Sequence, residues 1–128
     1  HLNIWVAVGG TPESVVRAAK AGLPVIFAII GGSPAQFQPL FRYNKEVYQH
    51  FKHDMNKFEV GVHMHCFFGE DSKQTADEYY PLYAGQMDRV GRSRGWPPYQ
   101  RNQYDYGRSK EGALIIGDAD SNPQHQQL

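Results

Sequence analysis

Ile4-Trp-Val-Ala-Val-Gly-Gly-Thr-Pro-Glu-Ser-Val-Val-Arg-Ala-Ala-Lys-Ala-Gly-Leu-Pro24 sets the grammar of the whole chain. Asn3 to Val8 is apolar and rich in β-branched and aromatic residues, which predicts a strand. Gly9-Gly10 breaks it, and Thr11-Pro12 offers a helix N-cap with proline at the first helical position. Glu13 suits the positive end of the helix dipole. The helix is predicted to run to about Ala21, packing on Val15, Val16, Ala18 and Ala19, and to end at Gly22 in a left-handed cap.

Working outward, the same cycle returns twice. Leu23 to Ile30 is apolar without polar alternation, as in a strand buried on both faces of a parallel sheet. Gly31-Gly32 interrupts it, and Ser33-Pro34 caps a second helix that buries Phe37, Leu40, Phe41, Tyr48 and Phe51. Pro39 inside that pattern is expected to kink the helix or divide off its first turn. A third strand is predicted over 58–68, followed by a helix over 72–90 that Pro81 bends. Beyond Gly91 the periodicity fails. Trp96-Pro97-Pro98-Tyr99, with Tyr104 and Tyr106, reads as an irregular connection, and 112–117 as a strand or an extended lead-in to a helix.

Three strand–turn–helix units in succession predict an α/β fold with parallel strands. Periodicity does not choose between an open doubly wound sheet and an arc of a (β/α)8 barrel. A complete barrel takes ~250 residues, so 128 residues supply about half of one.

Composition narrows the function. Formal net charge is zero, without the basic stripe of a nucleic-acid binder, and Arg89 to Arg94 reads as a solvated helix end. One cysteine, Cys66, rules out an internal disulfide framework and fits a reducing compartment; the cytoplasm is expected. The longest apolar run falls far short of the ~20 residues of a membrane span. His1 in place of Met, and the Gln/His/Pro-rich stretch 121–128, lead to the expectation of a fragment: a barrel portion over 1–120 with a divergent polar tail over 121–128.

The first turn has the chemistry of a phosphate cradle. Gly9-Gly10 lets a ligand approach the backbone, and the helix opening at Thr11 aims N–H groups and positive dipole at that space. Thr11 and Ser14 lie one turn apart and can face one side. The plainer reading is a good turn with a good cap. The spacing is not that of the G-x-G-x-x-G dinucleotide fingerprint. Gly31-Gly32-Ser33-Pro34 repeats the chemistry and is read as structural punctuation. His63 and His65, two apart on a predicted strand, would share a face. They are weak catalytic candidates, able to meet a cofactor or substrate or simply to hydrogen-bond within the core. A metal site would need more ligands than this pair, and none is expected. No nucleophile elbow, Cys–His catalytic signature or paired-carboxylate motif is present.

The ordered set of segments resembles the bacterial luciferase-like flavin-dependent monooxygenases. Residues 4–24 resemble that family's fifth strand, phosphate loop and following helix, and Leu23-Pro-Val-Ile-Phe-Ala-Ile-Ile-Gly-Gly-Ser-Pro-Ala-Gln-Phe37 its sixth strand and loop. Val60-Gly-Val-His-Met-His65 resembles the seventh strand. Gly91-Arg-Ser-Arg-Gly-Trp-Pro-Pro98 and Gly112-Ala-Leu-Ile-Ile-Gly117 resemble the links that follow. The resemblance implies about half of a TIM (β/α)8 barrel, strands five to seven, with Gly9, Gly10, Thr11, Ser14 and Val15 holding the phosphate of FMN. It implies reduced flavin acting with O2 on an organic substrate, a deazaflavin being the alternative cofactor and a flavin reductase a possible partner. Half a barrel leaves open strand edges, so self-association or docking on a partner is expected.

Overall fold

The computed structural model describes residues 2–120 of the chain; the 121–128 tail lies outside them. The chain divides into two compact units, His1–Met64 and His65–Leu128.

The first unit holds β1 (Val6–Val8), α1 (Pro12–Lys20), β2 (Val25–Ala28), α2 (Gln38–His50) and β3 (Val60–His63). The strands form a parallel sheet in the order β1-β2-β3. The register aligns Val6 with Val25 and Val25 with Val60, so valines stack across one face. On that face Val8, Val25 and Phe27 pack with Val15, Ala18 and Ala19 of α1 and Tyr48 of α2 to make the core. Burying this much branched apolar surface, at ~25 cal/mol per Å², is the main force holding the unit together. Double-sided burial of β2 is met on one face only: Val25 and Phe27 are buried, Ile26 and Ala28 half-buried. The helices cover the first face, whereas the second carries Gly61, with the Trp5 ring beside it.

Helix α1 starts and stops where the sequence predicts, with Thr11 at the N-cap, Pro12 inside, and Gly22 left-handed at φ +69°. Pro39 does divide off a first turn. Pro34–Phe37 forms a 3-10 turn, and α2 begins at Gln38 with the proline at its start, where a missing N–H costs nothing. The predicted buried face of α2 is only partly observed. Tyr48 is buried but Phe41 and Phe51 are exposed, and the second buried residue is Asn44, whose amide donates to the Val15 carbonyl at 3.3 Å.

The second unit holds β4 (His65–Phe68), α3 (Ser72–Arg94), α4 (Arg101–Gly107) and β5 (Leu114–Gly117). Its two strands are parallel, with His65 opposite Leu114. The single strand predicted over 58–68 is therefore two. Met64 belongs to neither ladder; β3 bonds to β2, and β4 to β5. Helix α3 runs past Gly91 to Arg94 and stops at left-handed Gly95, with Arg92 and Arg94 in its last turn. The stretch read as irregular contains α4, which carries Tyr104 into the core with Ala76, Tyr83, Met87, Leu114 and Ile116. It opens on a capping box of two glutamines, Gln100 and Gln103, in place of the usual Ser/Thr and Glu.

Candidate flavin-phosphate site

Parallel strands end together, so the C-terminal ends of β1, β2 and β3 share one edge of the first unit. The loop from β1 into α1 lies on that edge. A Cβ placed on Gly9 would meet nothing within 4 Å, which leaves its backbone open to a ligand. Gly10 turns the chain at φ +114°, a conformation side-chain-bearing residues avoid, and lies beside the Phe37 ring.

Thr11 has the extended backbone of an N-cap, yet its side chain makes no capping hydrogen bond. Its hydroxyl instead donates to Ser14 Oγ at 2.8 Å. The first-turn N–H groups of Glu13 and Ser14 are thus left without a side-chain acceptor, and they point out of the helix with its positive end. The Arg17 guanidinium donates to the same Ser14 oxygen at 3.2 Å. Two hydroxyls, free amides and a cation converge on exposed space, the donor set an anion needs.

The second glycine turn differs in the decisive respect. Gly31 and Gly32 are also left-handed, but Ser33 Oγ accepts from the Ala35 N–H at 3.3 Å, so this loop satisfies itself.

Of the five residues expected to hold the phosphate, Gly9, Gly10, Thr11 and Ser14 form one patch. Val15 lies at the same turn, but its side chain is fully buried and its N–H bonds the Thr11 carbonyl at 3.4 Å, so it anchors the loop from the core. Arg17 was missed in the sequence. The signal was the three-residue spacing of Arg17 from Ser14, the same spacing that makes Ser14 a neighbour of Thr11.

The histidine pair is not a pair on one strand. His63 ends β3 and is exposed at the same edge as the glycine loop, two strand spacings or about 10 Å from β1. His65 opens β4 in the other unit, where its Nδ1 and the Tyr83 hydroxyl share a hydrogen bond of 3.2 Å. Cys66 is exposed and unpaired with any other cysteine. Among the described residues no group of three or more His, Cys, Asp or Glu is placed to hold a metal. Nor is any helix there long and apolar enough to cross a membrane.

A parallel β/α scaffold with a glycine loop at its strand ends places the chain in the class of α/β proteins. The chain belongs, within that class, to the luciferase-like monooxygenases, whose family model matches residues 2–127. Among solved structures it is similar to the oxygenating constituent of 3,6-diketocamphane monooxygenase from the CAM plasmid of Pseudomonas putida, a type II Baeyer-Villiger monooxygenase in complex with FMN. The TM-score is 0.55 at 14% identity, over 91% of this chain and 34% of that one. The chain thus spans about a third of that relative's length. No curated protein sequence matches it.

Proposed function

We propose that this chain supplies the flavin-phosphate site and adjoining strands of an FMN-dependent monooxygenase, with residues 1–120 forming part of one barrel domain. The observation that carries the reading is the Thr11 hydroxyl, turned from the helix end it would normally cap onto Ser14, with Arg17 on the same oxygen. Gly9 and Gly10 would let the phosphate reach the backbone, Thr11 and Ser14 would bond it, and Arg17 would balance its charge. Val15 would hold the loop from beneath. When bound, the reduced flavin supplies the activation of O2 for transfer to an organic substrate; the protein positions and shields it. His63, on the same edge, is the side chain we assign to the ring or substrate end of the site. A deazaflavin carries the same phosphate chemistry and is the alternative cofactor, and a flavin reductase is the natural source of reduced FMN.

Titration of the chain with FMN, followed by flavin fluorescence, tests this beside a Thr11→Ala, Ser14→Ala double variant. Saturable binding that the double variant loses is the expected result. A folded chain that leaves FMN fluorescence unchanged at every concentration overturns the proposal.

A second reading, a non-catalytic half-barrel that self-associates or docks on a partner, is favoured by the apolar residues beside the β1 edge. Leu2 and Ile4, which lead into that edge strand, are both exposed. A concentration-independent monomer by light scattering counts against it.

A further inference from the structure

The second unit is built around tyrosines to a degree its size does not require. Tyr83 is 3% exposed, and the rings of Tyr79, Tyr99 and Tyr104 stand 6.0, 5.4 and 5.8 Å from it, centre to centre. Tyr80 continues the cluster 5.0 Å from Tyr104. Most of these rings are held as structural tyrosines are. The Tyr104 hydroxyl donates to the Ala76 carbonyl at 2.8 Å, and the Arg101 guanidinium covers both Tyr80 and Tyr104. A nearby cation makes it harder to withdraw an electron from those two rings.

Tyr83 is held differently. Its hydroxyl meets a titratable base, His65 Nδ1, at 3.2 Å, and its ring packs edge-on against that of Tyr99. Tyr99 is half-buried and reaches the surface of the unit. The three groups are contiguous, the Tyr99 ring 5.4 Å from that of Tyr83 and the Tyr83 hydroxyl on His65. A buried phenol loses an electron readily only when its proton has a base to go to, and His65 is such a base.

We propose that Tyr83 and His65 form a redox-active pair that takes up a one-electron oxidation and passes it out through Tyr99. The oxidant is a hydroperoxyl-class radical left by incomplete reduction of O2. It gains one electron from Tyr83 and becomes hydroperoxide. The Tyr83 O–H bond breaks and its proton moves to His65 Nδ1. Tyr99 then gives an electron to Tyr83 across their ring contact while His65 returns its proton to the Tyr83 oxygen; the Tyr99 hydroxyl proton leaves to water, restoring Tyr83 and leaving the radical on Tyr99. A small soluble thiol gives a hydrogen atom to Tyr99, forming a thiyl radical and closing the sequence. Nothing here depends on the phosphate loop, which lies in the other unit, and the test needs no flavin.

The test treats the full chain, carrying Cys66→Ser so that the exposed thiol does not consume the oxidant, with hexachloroiridate(IV) and freezes it for electron paramagnetic resonance. The expected result is a tyrosyl signal that Tyr83→Phe diminishes several-fold. Substituting 3-fluorotyrosine at position 83 keeps the ring and its hydrogen bond and is expected to add fluorine splitting to the earliest signal. His65→Phe is expected to slow oxidation by about a hundredfold, the lower end of what a positioned base contributes, and to make the rate depend on added buffer base. A purely packing role for His65 predicts no such buffer dependence. An earliest signal without fluorine splitting, or a His65→Phe rate that matches the parent, overturns the proposal.

Discussion

Thr11 and Ser14 share a hydrogen bond of 2.8 Å between their hydroxyls, and Arg17 closes on the same Ser14 oxygen from the next turn. In the absence of an anion these donors satisfy one another. A phosphate arriving over Gly9 would offer them stronger, charged acceptors. Hydrogen bonds to charged groups are worth ~1.5–3 kcal/mol each, and at this exposed position the lower end applies. Arg17→Ala is therefore expected to weaken FMN binding about tenfold. Riboflavin, which lacks the phosphate, is expected to bind parent and variant alike. The FMN difference is also expected to shrink in high salt, because exposed charges are screened. Fluorescence titrations with both ligands decide the matter; an equal loss for riboflavin would place Arg17 outside the phosphate site.

Gly9 and Gly10 make a second, separable test. A methyl group on Gly9 meets no protein atom within 4 Å, so Gly9→Ala is expected to leave stability within about 0.5 kcal/mol of the parent. The same methyl stands in the path of a ligand, and FMN affinity is expected to fall. Gly10→Ala is expected to act the other way round. At φ +114° any side chain is strained, so the cost, about 1–3 kcal/mol, falls on folding itself. Thermal melts and FMN titrations of the two variants are the measurement. A Gly9→Ala chain that binds FMN as tightly as the parent would mean that the ligand does not approach there.

Much of the first unit was legible because each boundary is written in local chemistry. Gly22 must be left-handed, Pro12 must open a helix, and Pro39 cannot sit far inside one. The site was half legible for the same reason: Gly9-Gly10-Thr11-Pro12 announces a helix start facing a turn. What no residue pattern reveals is where the Thr11 hydroxyl points, and that separates this loop from the self-capped one at Ser33. The second unit was harder to read. Helix α4 lacks an ordinary cap and places only Tyr104 and Gly107 in the core, so no apolar period marks it. The break at Met64 is equally silent, because Val60 to Phe68 keeps strand-like composition throughout while its hydrogen-bond partners change.

The tyrosine cluster sets an alkaline limit for the second unit. Burial pushes Tyr83 and Tyr104 each up to about 12, and raises Tyr99 further still, from the ordinary value of 10. A phenol whose folded value is raised contributes stability that is complete below the unfolded value. It is lost as pH climbs through the folded one, because only the unfolded chain ionises easily between them. The stability of this unit is therefore expected to hold to about pH 10 and to decline between 10 and 12. Phenolate absorbance is expected to show late-titrating groups that ionise together with the loss of near-ultraviolet dichroism. All eight tyrosines titrating near 10 in a chain that stays folded would contradict the buried cluster.

Gly22 and His53 give the most local prediction. Gly22 closes α1 at φ +69°, with its N–H on the Ala19 carbonyl and that of Leu23 on Ala18, each at 3.1 Å. The His53 ring lies against it, its Nε2 2.9 Å from the Lys20 carbonyl and its ring 4.9 Å from that of Tyr48. A Cβ at position 22 would come within 3.0 Å of the imidazole, so Gly22→Ala has two costs. The left-handed backbone costs about 1–2 kcal/mol in any residue with a side chain. Displacing His53 from the Lys20 carbonyl costs about 1 kcal/mol more. His53→Ala alone removes the second contribution and leaves the first untouched. In the double variant the methyl finds space, so its loss is expected to fall short of the sum of the single losses by about 0.5–1 kcal/mol, as for residues in direct contact. Urea unfolding of the four proteins measures that coupling, and strict additivity would mean that His53 does not rest on this helix end.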